Sequence, residues 1–277
     1  MKRLMASALG FCVMSAALIS ATAASALQIS GQPIQGGLLV AFSEPGAKVF
    51  VNGIQYPVFD DGRTLLPFER SQEPKILVRE ILPNGQVNTL ELDVIQRDYK
   101  TERINNLPSS RVTPPTTGAL QRRVDRELEE ISKAREVFTP YALFDSGFDW
   151  PVKGRITGVY GSQRVLNGIP RTPHYGIDIA APRGTSIKAP ADGVVRLIHT
   201  DNYYSGGTLI LDHGYGLNSA FLHMQAFNVD VGDTVAKGTV IGTVGSTGRS
   251  TGPHLDWRIT YNGVRVDPEL VAGEMPN

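Results

Sequence analysis

The chain has 277 residues, 41% of them apolar, with 27 basic and 27 acidic side chains. That length allows one sizeable domain and a smaller one, and no stretch is basic enough to hold nucleic acid. Lys2 and Arg3 precede an apolar run from Leu4 to Ile19 and small residues ending in Ala24, Ser25 and Ala26. This pattern predicts a secretory signal peptide over residues 1–26, cut after Ala26. The run is shorter than the ~20 residues of a spanning helix, so no membrane span is expected after cleavage, and the mature chain is expected in the periplasm or cell envelope. The only cysteine, Cys12, lies in the leader behind the bulky Phe11. The mature chain would then have no disulfide, cysteine nucleophile or thiolate metal site, which leaves histidines and carboxylates to hold any metal.

From residue 27 to 98 short apolar runs (LLVAF, AKVFV, KILVREIL, NTLELDVI) alternate with turn signals at Pro45-Gly46, Asn52-Gly53, Asp61-Gly62 and Asn84-Gly85. The spacing predicts a small β-sandwich built from hairpins. It contains no histidine and no cluster of ligands, so its expected work is docking or packing. Residues 99–149 read as a Pro-rich linker (NNLPSSRVTPPT, 105–116) followed by one amphipathic helix. Leu120, Val124, Leu128, Ile131 and Phe138 recur at helical spacing, charges fill the other face, and Thr139-Pro140 ends the run. Such a helix is expected to lie on a neighbouring domain, and residues 27–138 could also meet an envelope protein partner.

From residue 150 to 272 the pattern is again strands, now punctuated by glycine, and mainly antiparallel β structure with few helices is expected. The histidines cluster here. Read as strands, PHYGIDIA (173–180) puts His174 and Asp178 on one face, with Tyr175, Ile177 and Ile179 in apolar packing. GPHLDW (252–257) likewise pairs His254 with Asp256, with Leu255 and Trp257 behind. In SAFLHMQ, Ala220, Leu222 and Met224 share a face and His223 takes the opposite one. Zinc hydrolases commonly use three ligands from His and Asp or Glu and keep a fourth position for water. His174, Asp178 and Asp256 can supply the three, leaving His223 and His254 as imidazoles for proton transfer or oxyanion stabilisation. His199, near a strand end, and His213, at the LDHGYG turn, read as hydrogen-bonded structural histidines. Asp192, Asp212 and Asp267 read as turn or strand-end residues.

The segments RITGVYG, PHYGIDIAAPRGTSIKAPADGVV, GGTLILDHGYGL, FLHM, VGDTVAKGTVIGTVGSTGRSTGPHL and RVDP resemble, in order and spacing, the lysostaphin-type zinc endopeptidases, also called the LytM family. The resemblance spans roughly residues 150–271. It implies a compact β catalytic domain with a groove across its sheet, one divalent metal ion, zinc in the family, and the peptide cross-links of peptidoglycan as substrate. Within the motif set His174 and Asp178 match two metal ligands, and His223 and His254 match the two catalytic histidines. The upstream module and helix resemble, less specifically, the accessory region of some exported Gram-negative members.

One position departs from the family. Where members have H-x-H, this chain has His254-Leu255-Asp256, and Asp256 stands at the third ligand. A His-Asp-Asp set brings a second negative charge to the ion, expected to favour a hard cation and weaken its pull on bound water. The competing expectation is a catalytically silent domain that binds the wall or activates a separate hydrolase.

Overall fold

The computed structural model describes residues 27–106 and 118–276; the expected signal peptide and most of the Pro-rich linker lie outside them. No helix among the described residues is long and apolar enough to cross a membrane.

Residues 27–98 form two small antiparallel sheets. One contains Gln28–Ser30, Leu38–Phe42 and Arg63–Pro67; the other contains Ile54–Tyr56, Lys48–Val51, Lys75–Ile81 and Val87–Asp93. The Asn52-Gly53 turn has positive φ at both residues (47° and 85°), the conformation of a two-residue hairpin whose twist matches its strands. Alternation in Lys75–Ile81 buries Ile76, Val78 and Glu80. Glu80 is satisfied by the Ser43 hydroxyl and the Asn88 amide.

The module does not keep a core of its own. Tyr56, Phe59, Leu65, Leu66 and Phe68 belong to the same apolar cluster as Trp257, Ile259 and Tyr261. Tyr56 stacks on Tyr261 at 5.8 Å and Phe59 on Tyr215 at 3.7 Å. Much of the expected docking surface is therefore used within the chain. The boundary expected at residue 98 is also bridged: Thr101–Ile104, read as the start of the linker, is a strand that pairs in parallel with Gln163–Leu166.

The large sheet runs in the order Thr234–Val235, Gly193–Asn202, Gly206–Asp212, Leu217–Phe227, His254–Tyr261, Ile177–Ala180, Arg155–Gly158, with every pair antiparallel. Period-two alternation sorts the strand His254–Tyr261. Leu255, Trp257, Ile259 and Tyr261 are fully buried in the core, while His254, Asp256, Arg258 and Thr260 take the opposite face.

The helix Gly118–Glu136 lies on that second face, where Ile131 and Ala134 pack on Ile210, Ala220, Leu222 and Leu197. Its buried line differs from the expected stripe: Leu128 and Phe138 are exposed, Phe138 lies beyond the helix end, and Glu127 is buried. Glu127 accepts from the Tyr203 amide at 2.9 Å and pairs with Arg123, tying the helix to the turn at residues 203–205.

Candidate metal centre

His174 precedes its strand rather than lying in it. The Ser162 carbonyl accepts from its amide at 2.8 Å, and the His174 carbonyl accepts from Gly161. Its ring Nδ1 faces the Val159 carbonyl at 3.4 Å, so Nε2 points the other way, toward Asp178. Tyr175, expected in apolar packing, instead lies under the Arg265 guanidinium, 4.7 Å from ring centroid to carbon. Asp178 and Asp256 face each other across the pairing of Ile177–Ala180 with His254–Tyr261. Two glycines make room for the carboxylates. A Cβ at Gly158 would lie 2.2 Å from Asp178 Oδ2, and one at Gly176 would lie 2.7 Å from Asp256 Oδ1.

The result is a converging set. His174 Nε2 is 3.1 Å from Asp178 Oδ1 and 3.6 Å from Asp256 Oδ2, and one ligand atom from each of the three residues lies within 4.8 Å of the others. Tetrahedral bonds of about 2.0–2.1 Å require ligand atoms about 3.3 Å apart, so the set fits a divalent ion. His174 Nε2 is buried and makes no aligned hydrogen bond. Burial alone would lower the His174 pKa, yet the two carboxylates outweigh it and push the value up to about 10. A pocket that holds a proton this firmly is one that attracts a cation.

His223 reaches the site by an exception to strand parity. The register puts Leu222 opposite Asp256 and Ala220 opposite Arg258, so these apolar residues share the face of the site, under the helix, and are not its greasy back. Between Phe221 and Met224 the strand carries one residue more than its partner. His223, with φ at 63°, is turned by this bulge onto the same face. Its ring centroid lies 4.7 Å from that of His254. Each imidazole has its Nδ1 2.8 Å from a backbone carbonyl, Thr247 for His223 and Gly252 for His254. A carbonyl only accepts, so Nδ1 carries the hydrogen and Nε2 faces the site as a base. Burial lowers the His223 pKa, which keeps it neutral. His254 Nε2 is 3.8 Å from Asp178 Oδ1.

All five sequence-selected residues therefore meet on one face. Arg258 joins them, and the sequence reading missed it. Its Nη2 donates to Asp256 Oδ2 at 2.6 Å and its Nε to Oδ1 at 2.9 Å. Burial would raise the Asp256 pKa, but Arg258 first and His174 second hold it well below the usual carboxylate range. The extra negative charge expected from Asp256 is thus cancelled two residues along the same strand, and the pair is as neutral as a histidine. Asp256 keeps lone pairs for an ion, since a carboxylate offers about four. The signal was present as H-x-D-x-R, three alternate residues that share one face.

The other histidines do structural work. His213, fully buried, donates from Nδ1 to the Asp192 carbonyl at 2.8 Å and accepts at Nε2 from the Ser219 hydroxyl at 2.8 Å. His199 Nδ1 accepts from the Asp201 amide. Asp212 binds Thr139 and Arg196. Asp192 accepts from the Lys237 amide. Asp267 caps the helix Pro268–Ala272 and pairs with Arg97.

The chain is similar to known proteins. Residues 172–268 match the model of Peptidase family M23. Over 103 residues the chain is 45% identical to the DD-carboxypeptidase/endopeptidase Mpg of Neisseria meningitidis, covering 37% of this chain and 24% of that protein. It is 40% identical over 103 residues to the peptidoglycan DD-endopeptidase ShyC of Vibrio cholerae, covering 37% and 23%. The matched stretch thus spans about a quarter of the length of these curated relatives. A crystal structure of a Pseudomonas aeruginosa protein described as an M23 peptidase superposes with a TM-score of 0.65 at 30% identity, covering 88% of this chain and 96% of that one. With a relative this similar along nearly the whole of both chains, and a family match that encloses all five site residues, the chain belongs to peptidase family M23.

Proposed function

We propose that the protein is an exported metallopeptidase that hydrolyses the peptide cross-links of peptidoglycan in the periplasm. His174, Asp178 and Asp256 would hold one zinc ion, and His223 and His254 would be its catalytic bases. One observation carries the reading: three ligand atoms converge within 4.8 Å beside two imidazoles whose tautomers are set by backbone carbonyls. The names of the curated relatives, both peptidases and one a peptidoglycan endopeptidase, support the substrate class.

When bound, such an ion polarises a scissile carbonyl and lowers the pKa of its water toward neutrality. The chain supplies the rest. Asp178 and Asp256 set the charge of the cage, and Arg258 limits it to one net negative unit from the ligands. The unprotonated Nε2 of His223 or His254 accepts the proton of the attacking water and, once protonated, donates it to the leaving amine. The second imidazole can donate to the carbonyl oxygen only when its own Nε2 is protonated.

The test is release of muropeptides from purified cross-linked peptidoglycan, alongside metal analysis. Wild-type protein should carry about one zinc per chain and release muropeptides; His174→Ala and Asp178→Ala should lose both metal and release. Stoichiometric metal persisting in both variants overturns the ligand assignment. A metal-loaded wild-type protein that releases nothing above a phenanthroline-treated control, yet stimulates a separate wall hydrolase, makes the domain a silent activator.

A further inference from the structure

Beside the metal centre three guanidinium groups gather on the same face of the sheet. Arg258 lies two residues beyond Asp256, opposite Ala220. Arg265 lies opposite Thr260 on the neighbouring strand Val264–Val266, so it is the diagonal neighbour of Arg258 on that face. Arg135 comes from the last turn of the helix, next to Ala134, which packs on Ala220. Only one of the three is neutralised: Asp256 takes Arg258. Among the described residues neither Arg135 nor Arg265 has an ion pair, the Nε of Arg135 is buried without a hydrogen-bond partner, and Arg265 rests on the Tyr175 ring.

Burial, with the charges of Arg265 and Arg258 behind it, pushes the Arg135 pKa down to about 10. A buried donor left without a partner is costly, and the Arg135 Nε is one. A cation in the metal centre would make the patch more positive still. An anion placed among the three would satisfy that donor, and guanidinium groups match the two oxygens of a carboxylate.

We propose that Arg135, Arg258 and Arg265, with Tyr175 beneath Arg265, form a carboxylate-binding subsite that anchors the peptide substrate beside the metal centre. The subsite rests on the peptidase reading above and narrows it to peptides with a free carboxylate near the scissile bond. Either a C-terminal or a side-chain carboxylate has the required chemistry. Because the helix contributes Arg135, it becomes part of the substrate groove rather than a spacer.

The experiment is equilibrium binding by calorimetry of a synthetic cross-linked stem-peptide dimer to the full chain. The protein is kept metal-free with phenanthroline, a neutral chelator that cannot compete as a carboxylate would. Four forms of the peptide are compared: free, amidated at the C-terminus, amidated at the side-chain carboxylates, and amidated at both. The free peptide should bind about tenfold or more tighter than the fully amidated one, on the scale of one lost charged hydrogen bond. Arg265→Gln and Arg135→Gln should each remove most of that preference, and Arg265→Lys should restore part of it. The singly amidated form that loses affinity identifies the carboxylate. Arg265 is solvent-exposed, so its variants test the subsite without threatening the fold. Equal binding of free and fully amidated peptides, no binding of either, or a preference unchanged in both glutamine variants overturns the subsite. Muropeptide release, measured separately, distinguishes the two readings: binding without hydrolysis leaves the subsite standing, and arginine-independent hydrolysis leaves only the peptidase.

Discussion

The two faces of the strand His254–Tyr261 do different work. On one face Leu255, Trp257, Ile259 and Tyr261 are all fully buried and continue into the core shared with the N-terminal module. On the other, His254, Asp256 and Arg258 bring an imidazole, a carboxylate and its counter-ion together within five residues. Stability and chemistry are separated by a single peptide unit. Substitutions on the first face should cost folding free energy and leave the site chemistry to whatever remains folded; those on the second should change metal and rate.

The largest expected effect is on the core face. Trp257→Ala should cost about 3–5 kcal/mol, the range for a large aromatic removed from a packed core, measured by urea unfolding. A cost under about 1 kcal/mol would show that this face does not carry the fold. The site face has its own stability hazard at Asp256. Asp256→His restores the family ligand but strands Arg258, whose side chain is 29% exposed. The loss should fall at the lower end of the range for a broken buried pair, about 3 kcal/mol. Asp256→His combined with Arg258→Gln should recover most of that stability and retain metal. If the single variant is as stable as wild type, the Arg258–Asp256 pair is not the counter-charge described here.

His223→Ala should fold and keep its metal, yet lose on the order of a hundredfold in muropeptide release. Metal loss in this variant would move His223 from base to ligand. The smallest effect concerns His213, which sharpens the comparison because it is the same residue type in the core. Burial pushes its pKa from 6.5 down to about 4. Between those values the unfolded chain binds the extra proton and the folded chain does not. Stability from this group is therefore complete well above pH 6.5 and is lost as pH falls toward 4, by about 1.4 kcal/mol at pH 5.5. His213→Gln should flatten this part of the stability–pH curve; an unchanged slope would mean that His213 titrates normally.

The sequence by itself determined the mainly β class and the alternation that builds each face, and it singled out five residues that the folded chain brings together, because period-two patterning and the spacing of histidines and aspartates are local properties of the chain. Tertiary structure decided what local patterns cannot encode. The bulge at His223 is fixed by the partner strand's length, so simple parity assigned Ala220 and Leu222 to the wrong side. The helix buries Glu127 rather than Leu128 because Glu127 finds partners there in Arg123 and the Tyr203 amide. The N-terminal module shares its core with the large sheet, a contact between segments far apart in the chain that no local pattern encodes. The charge brought by Asp256, unbalanced when read from the ligand set alone, is cancelled by Arg258 because a guanidinium two residues along a pleated strand lands beside it.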